Sequence, residues 1–452
     1  MAKPVPSPQS PAPSPLRQRT LVGFGFGPIQ AGLFLYEAFQ SGNFGRMVVA
    51  EVAPDIVSAV RGAGGRFSVN IAHSDRIEIV KIGPLEIEDP GSRSGQSHLV
   101  EAVADAEEIA TALPSVQFYT SPSPGSVHRL LAEGLRRKAA GQGPQAIVYA
   151  AENHNHAAEI LEARVFGETP ENERERVSAR VRFLDTVIGK MSGVVSDPDE
   201  IRSQGLATMT PGGHRAFLVE AFNRILISRI RFPGGRGAPP FQRGIRVFEE
   251  KDDLLPFEEA KLYGHNATHA LAAFVGALRG VERIADLSRY SDILAFLRAA
   301  FIEESGKALV RKHAGKDRLF THEGYCEYAD DLLARMVNPF LHDRVERVGR
   351  DPQRKLGWDD RLVGTIRVAL DQGIKPSRFA FGAAAALAVL DRRTLETNTP
   401  LATWLDPLWH VAAPDAQEKE RVLELIEEGR HRLRRWRDSG FQNLEDLFGR
   451  EG

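Results

Sequence analysis

The stretch RTLVGFGFGPIQAGLF, residues 19–34, joins a short apolar run to a glycine-rich turn and then to a helical pattern. Three alternating glycines stand where a dinucleotide-binding fold turns tightly and lets its backbone approach a pyrophosphate. A proline replaces the last glycine of a strict G-x-G-x-x-G pattern, but proline suits the first turn of a helix, whose free N–H groups attract anions. We therefore predict a cofactor loop, with an ordinary tight turn as the alternative. The predicted cofactor contacts in this loop are Gly23, Gly25, Gly27, Pro28 and Ile29.

An acidic residue, Glu51, closes the next apolar run, MVVAEV at residues 47–52. At the end of the second strand of a dinucleotide fold, a carboxylate accepts hydrogen bonds from the ribose hydroxyls and repels a 2′-phosphate. This position predicts NAD rather than NADP as the cofactor. A solvated strand end is the alternative interpretation.

Strand-like and helical segments alternate through residues 19–205, which predicts a parallel sheet covered by helices on both faces. We predict helices over HLVEAVADAEEIATAL (98–113) and SVHRLLAEGLRRKAA (126–140). We predict strands over VQFYT (116–120), QAIVYAAEN (145–153) and ARVRFLDTVI (179–188).

From about residue 206 the apolar residues follow helical spacing, beginning with HRAFLVEAFNRILISR at 214–229. The predicted fold class is therefore α/β: an N-terminal Rossmann-type dinucleotide-binding domain over 19–205, followed by a mostly α-helical substrate and catalytic domain over 206–452. Residues 1–18 are rich in proline and serine and are predicted to form a disordered tail. RFPGGRGAPPFQRG at 231–244 is predicted to be a loop.

The composition is that of a globular enzyme, with 42% hydrophobic and 26% charged residues. Lys and Arg number 58 against 60 Asp and Glu, so the charge balance favours neither a nucleic-acid nor a membrane partner. Cys326 is the only cysteine, which excludes an intrachain disulfide and fits the cytoplasm. No apolar run reaches the length that a membrane-spanning helix requires.

Lys261, Asn266 and His269 are spaced as K-x-x-x-x-N-x-x-H. On an α-helix, Asn266 would lie roughly 140° and His269 roughly 80° from Lys261, so all three would share one broad face. A partly desolvated lysine accepts a proton, and an amide donates to a developing alkoxide. The competing hypothesis is a metal site, because His265 and His269 are four residues apart. However, the glutamate of the H-E-x-x-H motif is missing, so we predict no metal.

The sequence resembles the polyol-specific long-chain dehydrogenases over roughly residues 19–390. The lysine–asparagine–histidine spacing matches that family's signature. NPFLHDRVERVGRDPQRKLGWDDRL at 338–362 matches the branch of the family that acts on phosphorylated substrates, and AENHNHAAEIL and FLDTVIGKM match two further family segments. The resemblance implies metal-independent hydride transfer, with Lys261 as general base or acid, Asn153 and Asn266 forming an oxyanion hole, and His269 binding the reacting oxygen.

The resemblance also implies a substrate site, part of it basic. Its predicted residues are Asp185, Lys190, Arg347, Arg350, Arg354 and Lys355. Guanidinium groups bind phosphate bidentately, although the same charge run could equally pair with neighbouring carboxylates on the surface.

The expected activity is interconversion of a hexitol phosphate, such as mannitol 1-phosphate, and a ketose phosphate, such as fructose 6-phosphate, with NAD. An unphosphorylated polyol or sugar acid is the first alternative, and a non-catalytic nucleotide-binding regulatory protein is the second. The expected assembly is a monomer or homodimer whose partner is a small molecule. His154, His156 and His265 receive no role from the sequence.

Overall fold

The computed structural model describes residues 19–233 and 240–449. The predicted tail at 1–18 and the centre of the predicted loop at 231–244 lie outside these ranges. Within them, the strands of the first part of the chain form two sheets, and the remainder is helical.

The strands occupy residues up to Lys251. They are β1 (Arg19–Phe24), β2 (Phe44–Ala50), β3 (Phe67–Ala72), β4 (Ile77–Ile82), β5 (Glu86–Glu88), β6 (Glu108–Thr111), β7 (Ala146–Ala150), β8 (Val181–Val187), β9 (Ser192–Val195), β10 (Ala216–Glu220), β11 (Leu226–Ser228) and β12 (Glu249–Lys251). The larger sheet has the order β12-β11-β8-β7-β6-β1-β2-β5, and the smaller sheet has the order β4-β3-β10-β9.

The larger sheet is parallel from β8 to β5, and β11 joins its other edge antiparallel to β8. Because the parallel strands share one direction, their carboxyl ends form a common edge, where α/β sheets bind ligands. The parallel sheet with helical connections confirms the predicted Rossmann-type architecture.

The helices begin after β1 and dominate the chain beyond β12. They are α1 (Tyr36–Ser41), α2 (Pro54–Gly62), α3 (Arg93–Asp105), α4 (Val127–Ala140), α5 (Ala157–Glu168), α6 (Glu171–Ser178), α7 (Pro198–Ser203), α8 (Leu255–Glu259), α9 (Ala267–Arg279), α10 (Ser291–Ala299), α11 (Lys307–Lys312), α12 (His322–Met336), α13 (Val345–Gly349), α14 (Pro352–Lys355), α15 (Val363–Asp371), α16 (Ser377–Leu390), α17 (Arg393–Glu396), α18 (Ala402–Trp409) and α19 (Ala416–Asp438). The described residues also form three π-helical segments. Gln30–Leu35 directly precedes α1, Ala260–Asn266 joins α8 to α9, and Ala300–Gly306 joins α10 to α11.

Side chains of β1 alternate between two hydrophobic cores, as the pleat of a doubly covered sheet requires. Leu21 packs with the π-helical segment after β1 and with the smaller sheet, whereas Val22 and Phe24 pack under α3 and α4. Gly32 lets that segment approach β10 closely, since a Cβ there would lie 2.6 Å from a methyl of Val219. The smaller sheet therefore packs against the π-helical segment that directly follows the glycine loop.

A third core fills the helical part, where α9 and α16 are buried along most of their length. Apolar residues on nearly every side of these helices explain why they pack centrally rather than on the surface. Across both described ranges, no helix is long and apolar enough to cross a membrane.

Two local predictions in the first part are wrong. The helix predicted over 98–113 ends at Asp105 as α3, and Glu108–Thr111 forms strand β6. Strand β6 is completely buried between β1 and β7, so it lacks the polar alternation that would have distinguished it from a helix. The strand predicted over 116–120 is a 3₁₀ turn, Val116–Tyr119, in which the Ser115 side chain accepts a hydrogen bond from the Gln117 N–H.

The helix predicted over 214–229 is also wrong, because this segment supplies β10 and β11. Strand β10 pairs with β3 and β9 and is buried over all five residues, so tertiary pairing overrides the local apolar pattern. Strands therefore continue to Lys251, beyond the predicted domain boundary near residue 205. The helical part predicted for the second half begins at Leu255.

Candidate active site

The glycine loop lines a cleft of about 1050 Å³ at the carboxyl edge of the larger sheet. Gly25 has a φ of +86°, and a Cβ there would lie 2.9 Å from the Ala112 carbonyl oxygen, so the turn requires glycine. Pro28 lies in the first turn of the following helix, as predicted. Of the five predicted loop contacts, Gly25, Gly27, Pro28 and Ile29 line the cleft. Gly23 lies inside β1 instead, where a Cβ would strike the buried Gln30 amide.

Glu51 lies at the end of β2 and lines the same cleft. Its carboxylate accepts the Phe26 N–H at 3.0 Å and the Ala53 N–H at 2.8 Å. The side chain therefore braces the glycine loop, a role that the sequence did not indicate. Two carboxylate oxygens offer about four acceptor sites, so capacity remains for a ribose hydroxyl.

Lys261 meets Asn153 across the two parts of the chain. The Lys261 ammonium donates to Asn153 Oδ1 at 3.0 Å. Asn153 follows β7 at the carboxyl edge of the sheet, whereas Lys261 lies in the π-helical segment Ala260–Asn266. The structure thus brings together two predicted catalytic residues that are 108 positions apart in sequence.

The π-helical segment changes the geometry predicted for the K-x-x-x-x-N-x-x-H pattern. Residues five apart are hydrogen-bonded neighbours in a π-helix, so Lys261 and Asn266 are separated by less than the roughly 140° expected on an α-helix. Gly264 permits this packing, since a Cβ there would lie 2.6 Å from Tyr325 Oη. Such a π-helical insertion is frequent at functional sites.

The environment of Lys261 lowers the pKa of its ammonium group. Burial and, to a smaller extent, the positive charge of Arg361 lower the pKa of Lys261 to about 8, although the negative charge of Glu258 opposes both effects. A lysine with this pKa exchanges a proton near neutral pH, as an acid–base group must. Arg361 and Glu258 were not among the predicted site residues. Glu258 lies one helical turn before Lys261, and this spacing is the sequence signal that could have identified Glu258.

His269 and His265 are largely buried, and their ring centres are 6.4 Å apart. Burial lowers the pKa of His269 to about 4 and holds the pKa of His265 well below its usual value, so both rings are neutral at pH 7. His154 and His156 lie in the exposed turn between β7 and α5. Among the described residues, no group of three or more His, Cys, Asp or Glu could hold a metal ion. The prediction that the reaction needs no metal stays a prediction.

The two predicted residues of the FLDTVIGKM segment have different surroundings. Asp185, on β8, accepts the Ala158 N–H at 3.0 Å, and burial raises the pKa of its carboxyl to about 6. Lys190 is buried and donates to the carbonyl oxygens of Glu220 and Phe222. Its ammonium therefore anchors the turn that follows β10, and a direct substrate contact by Lys190 stays a prediction.

The four predicted phosphate-binding cations do not form one cluster. Arg347 forms an ion pair with Asp343, and Arg354 forms one with Asp351 at 3.1 Å. Lys355 is buried and donates to the Arg350 carbonyl oxygen. Arg350 differs from the others, because it lines the cleft beside the glycine loop and has no carboxylate partner within the described ranges.

A buried ion pair also joins the two parts of the chain near the histidines. Arg335 of α12 contacts Glu220 of β10 at 3.0 Å and stacks on Phe222, with its guanidinium carbon 3.9 Å from the ring centre. Burial raises the pKa of Glu220 to about 7. Arg335 was not predicted, since no local pattern distinguishes it from an ordinary helical arginine.

Comparison with known proteins agrees with this architecture. Residues 253–433 match the family model of the mannitol dehydrogenase C-terminal domain. Two mannitol-1-phosphate 5-dehydrogenases are each 28% identical to this chain. The match to the enzyme of Pseudarthrobacter chlorophenolicus covers 83% of this chain and 87% of the relative. The match to the enzyme of Bacillus licheniformis covers 77% of this chain and 86% of the relative.

Two solved structures share the fold at low sequence identity. A D-sorbitol dehydrogenase in substrate-free form has a TM-score of 0.73 at 15% identity, covering 94% of this chain and 95% of its own. Mannitol 2-dehydrogenase of Pseudomonas fluorescens, solved with NAD and D-mannitol, has a TM-score of 0.67 at 16% identity, covering 96% and 95%. These two similarities show the fold. The family-model match over the helical part and the two relatives support the predicted resemblance to the polyol-specific long-chain dehydrogenases.

Proposed function

We propose that this protein is an NAD-dependent polyol dehydrogenase that needs no metal ion. The observation that carries the proposal is the contact between Lys261 and Asn153, 3.0 Å apart, at the carboxyl edge that also bears the glycine loop. A lysine with a pKa of about 8 and an amide beside it suit the exchange of an alcohol proton.

The residues of the cleft fit a dinucleotide. The glycine turn leaves room for a pyrophosphate beside the helix that starts at Pro28, and Glu51 offers oxygens to a ribose. A bound NAD would supply the hydride acceptor for oxidation of the alcohol, and a bound NADH would supply the hydride donor for reduction of the carbonyl.

The chain's own residues handle the proton and the charge on oxygen. In oxidation, neutral Lys261 takes the hydroxyl proton, and in reduction the protonated lysine returns it. Because Asn153 turns Oδ1 toward the lysine, its NH₂ group is free to donate to the developing alkoxide. Asn266 would supply a second donor, and His269 a contact to the substrate.

The finer proposal is a hexitol phosphate as the alcohol and a ketose phosphate as the product. Two relatives named mannitol-1-phosphate 5-dehydrogenase support it. Within the molecule, the support is Arg350, a cation in the cleft whose guanidinium has no carboxylate partner among the described residues. A guanidinium in this state can bind a phosphate without first breaking an ion pair.

An unphosphorylated polyol is the second candidate, and a specific observation favours it. Arg347 and Arg354 already pair with Asp343 and Asp351, and Lys355 is bound to a backbone carbonyl. Recruiting any of them to a phosphate would cost an existing interaction, so the phosphate site would rest largely on one arginine.

A substrate panel separates these possibilities. Each hexitol would be offered with and without its phosphate, and NADH formation would be followed by absorbance. We expect the phosphorylated substrate to have the higher kcat/KM. Preference for the free polyol would favour the second candidate, and NADH binding without turnover on any polyol would contradict the enzymatic proposal.

A further inference from the structure

A buried carboxylate lies directly behind the candidate active-site histidine. Asp343 Oδ2 is 3.6 Å from His269 Nε2, and Oδ1 of the same carboxylate accepts from the Arg347 guanidinium. Asp343 is only 7% exposed. The three side chains therefore form a continuous row from the surface to the active site, in the order Arg347, Asp343 and His269.

The two atoms that face each other between His269 and Asp343 lack other hydrogen-bond partners. His269 Nε2 is buried without a hydrogen bond, and no described residue donates a hydrogen bond to Asp343 Oδ2. A buried polar atom without a partner is costly, so such groups usually have a partner or a function. An imidazole N–H directed at this oxygen would satisfy both atoms. Hydrogen bonds at active sites are often long in the free protein and shorten when substrate binds.

The backbone holds Asp343 firmly in this position. The Ile284 N–H donates to the Asp343 carbonyl oxygen at 2.9 Å, and the Val345 N–H donates to the Glu282 carbonyl oxygen at 2.9 Å. Val345 is buried in the core beside α9, the helix that carries His269. Because both sides of Asp343 are fixed to the segment that follows α9, its carboxylate has little freedom to turn away.

We propose that Asp343 is a positioning residue that holds His269 as the tautomer with its proton on Nε2, so that Nδ1 accepts a hydrogen bond from a substrate hydroxyl. The second half of this inference rests on the proposed function. A neutral imidazole has one donor and one acceptor nitrogen, so a partner on one side decides what the other side offers. Because Arg347 balances the negative charge of the Asp343 carboxylate, we assign Arg347 to this row of three side chains rather than to a substrate phosphate.

The tautomer is measured directly by nitrogen NMR on histidine-labelled protein at pH 7. The signal of His269, among 13 histidines, is identified by its loss in His269→Gln. We expect the proton on Nε2 in the wild type. In Asp343→Asn the side-chain amide can donate to Nε2, so the proton should move to Nδ1; the same carboxylate-to-amide change gives the wrong histidine tautomer in serine proteases. A proton on Nδ1 in the wild type would overturn the inference.

Kinetics provide the second measurement. Asp343→Asn should lower kcat/KM by about 10- to 100-fold, the usual loss when the partner of a functional histidine is removed. NADH affinity should remain unchanged, and Asp343→Glu should recover part of the loss. Asp330→Asn is the matched control, because that aspartate pairs with Arg298 on the surface.

An Asp343→Asn protein with the wild-type tautomer and wild-type kcat/KM would refute the positioning role. If Asp343→Asn does not fold, the wild-type tautomer and Asp343→Glu still decide the question. Absence of turnover in every protein, wild type included, would contradict the proposed function while leaving the tautomer measurement valid.

Discussion

The proposed proton-accepting role of Lys261 makes a quantitative prediction about pH. With its pKa lowered to about 8, roughly one lysine in ten is neutral at pH 7, whereas a lysine with an ordinary pKa would be neutral in roughly one molecule in three thousand. Burial therefore increases the reactive form for oxidation about 300-fold at neutral pH. Oxidation should rise with pH and level off above about pH 8, and reduction should fall over the same range, because it needs the protonated lysine.

The perturbation is Lys261→Met, which keeps the length and apolar stem of the side chain but removes the ammonium. We expect kcat/KM to fall by about 10²- to 10⁴-fold in both directions, as is typical of losing a positioned acid–base group. The assay follows NADH absorbance from pH 6 to pH 10 in both directions. Lys307→Met is the control, because that lysine is half exposed and pairs with Glu303.

NADH affinity, measured by fluorescence, should be unchanged in Lys261→Met, since the glycine loop and Glu51 lie on the other part of the chain. The reasoning would be refuted by a folded Lys261→Met protein that binds NADH and retains wild-type kcat/KM and pH dependence. A wild-type profile without a transition near pH 8 would show instead that the lysine's environment has been misjudged.

Three further predictions test the surroundings of this site. Glu51→Ala removes the hydrogen bond that the Phe26 N–H of the glycine loop donates and the one that the Ala53 N–H donates, and it should raise the Kd for NADH about 10-fold, whereas an unchanged Kd in a fluorescence titration would contradict the bracing role. Arg350→Ala should raise KM for a hexitol phosphate by about 10- to 100-fold, and Arg354→Ala should change it little because Arg354 is already paired; equal effects would argue against a distinct role for Arg350. Arg361→Gln removes a positive charge near Lys261, so the midpoint of the oxidation profile should move to higher pH, and a midpoint that stays or falls would contradict the electrostatic argument.

The local pattern of the chain predicted the glycine turn and indicated Lys261 as the candidate acid–base group. A strand, a glycine turn and a proline-initiated helix follow each other within residues 19–34, and each step depends mainly on backbone preferences of neighbouring residues. The K-x-x-x-x-N-x-x-H spacing likewise lies within a single helix. Short-range features of this kind are readable because their determinants are adjacent in sequence.

Buried strands were the main failure of local interpretation. Strands β6 and β10 are buried on both faces, so neither has the alternation that separates a strand from a helix. Each is a strand because its backbone N–H and C=O groups pair with two neighbours far away in sequence, and those neighbours cannot be inferred from the segment itself.

The active-site details were decided by tertiary structure alone. The sequence by itself made Lys261 the candidate acid–base group, but its lowered pKa comes from burial and from Arg361, and its contact with Asn153 spans two parts of the chain. The run of cations was equally visible in the sequence, yet only packing decided that Arg347 pairs with Asp343 while Arg350 faces the cleft. Charge is a property of a residue, whereas its partner and its desolvation are properties of the fold, because both depend on which distant side chains the core brings within a few ångströms.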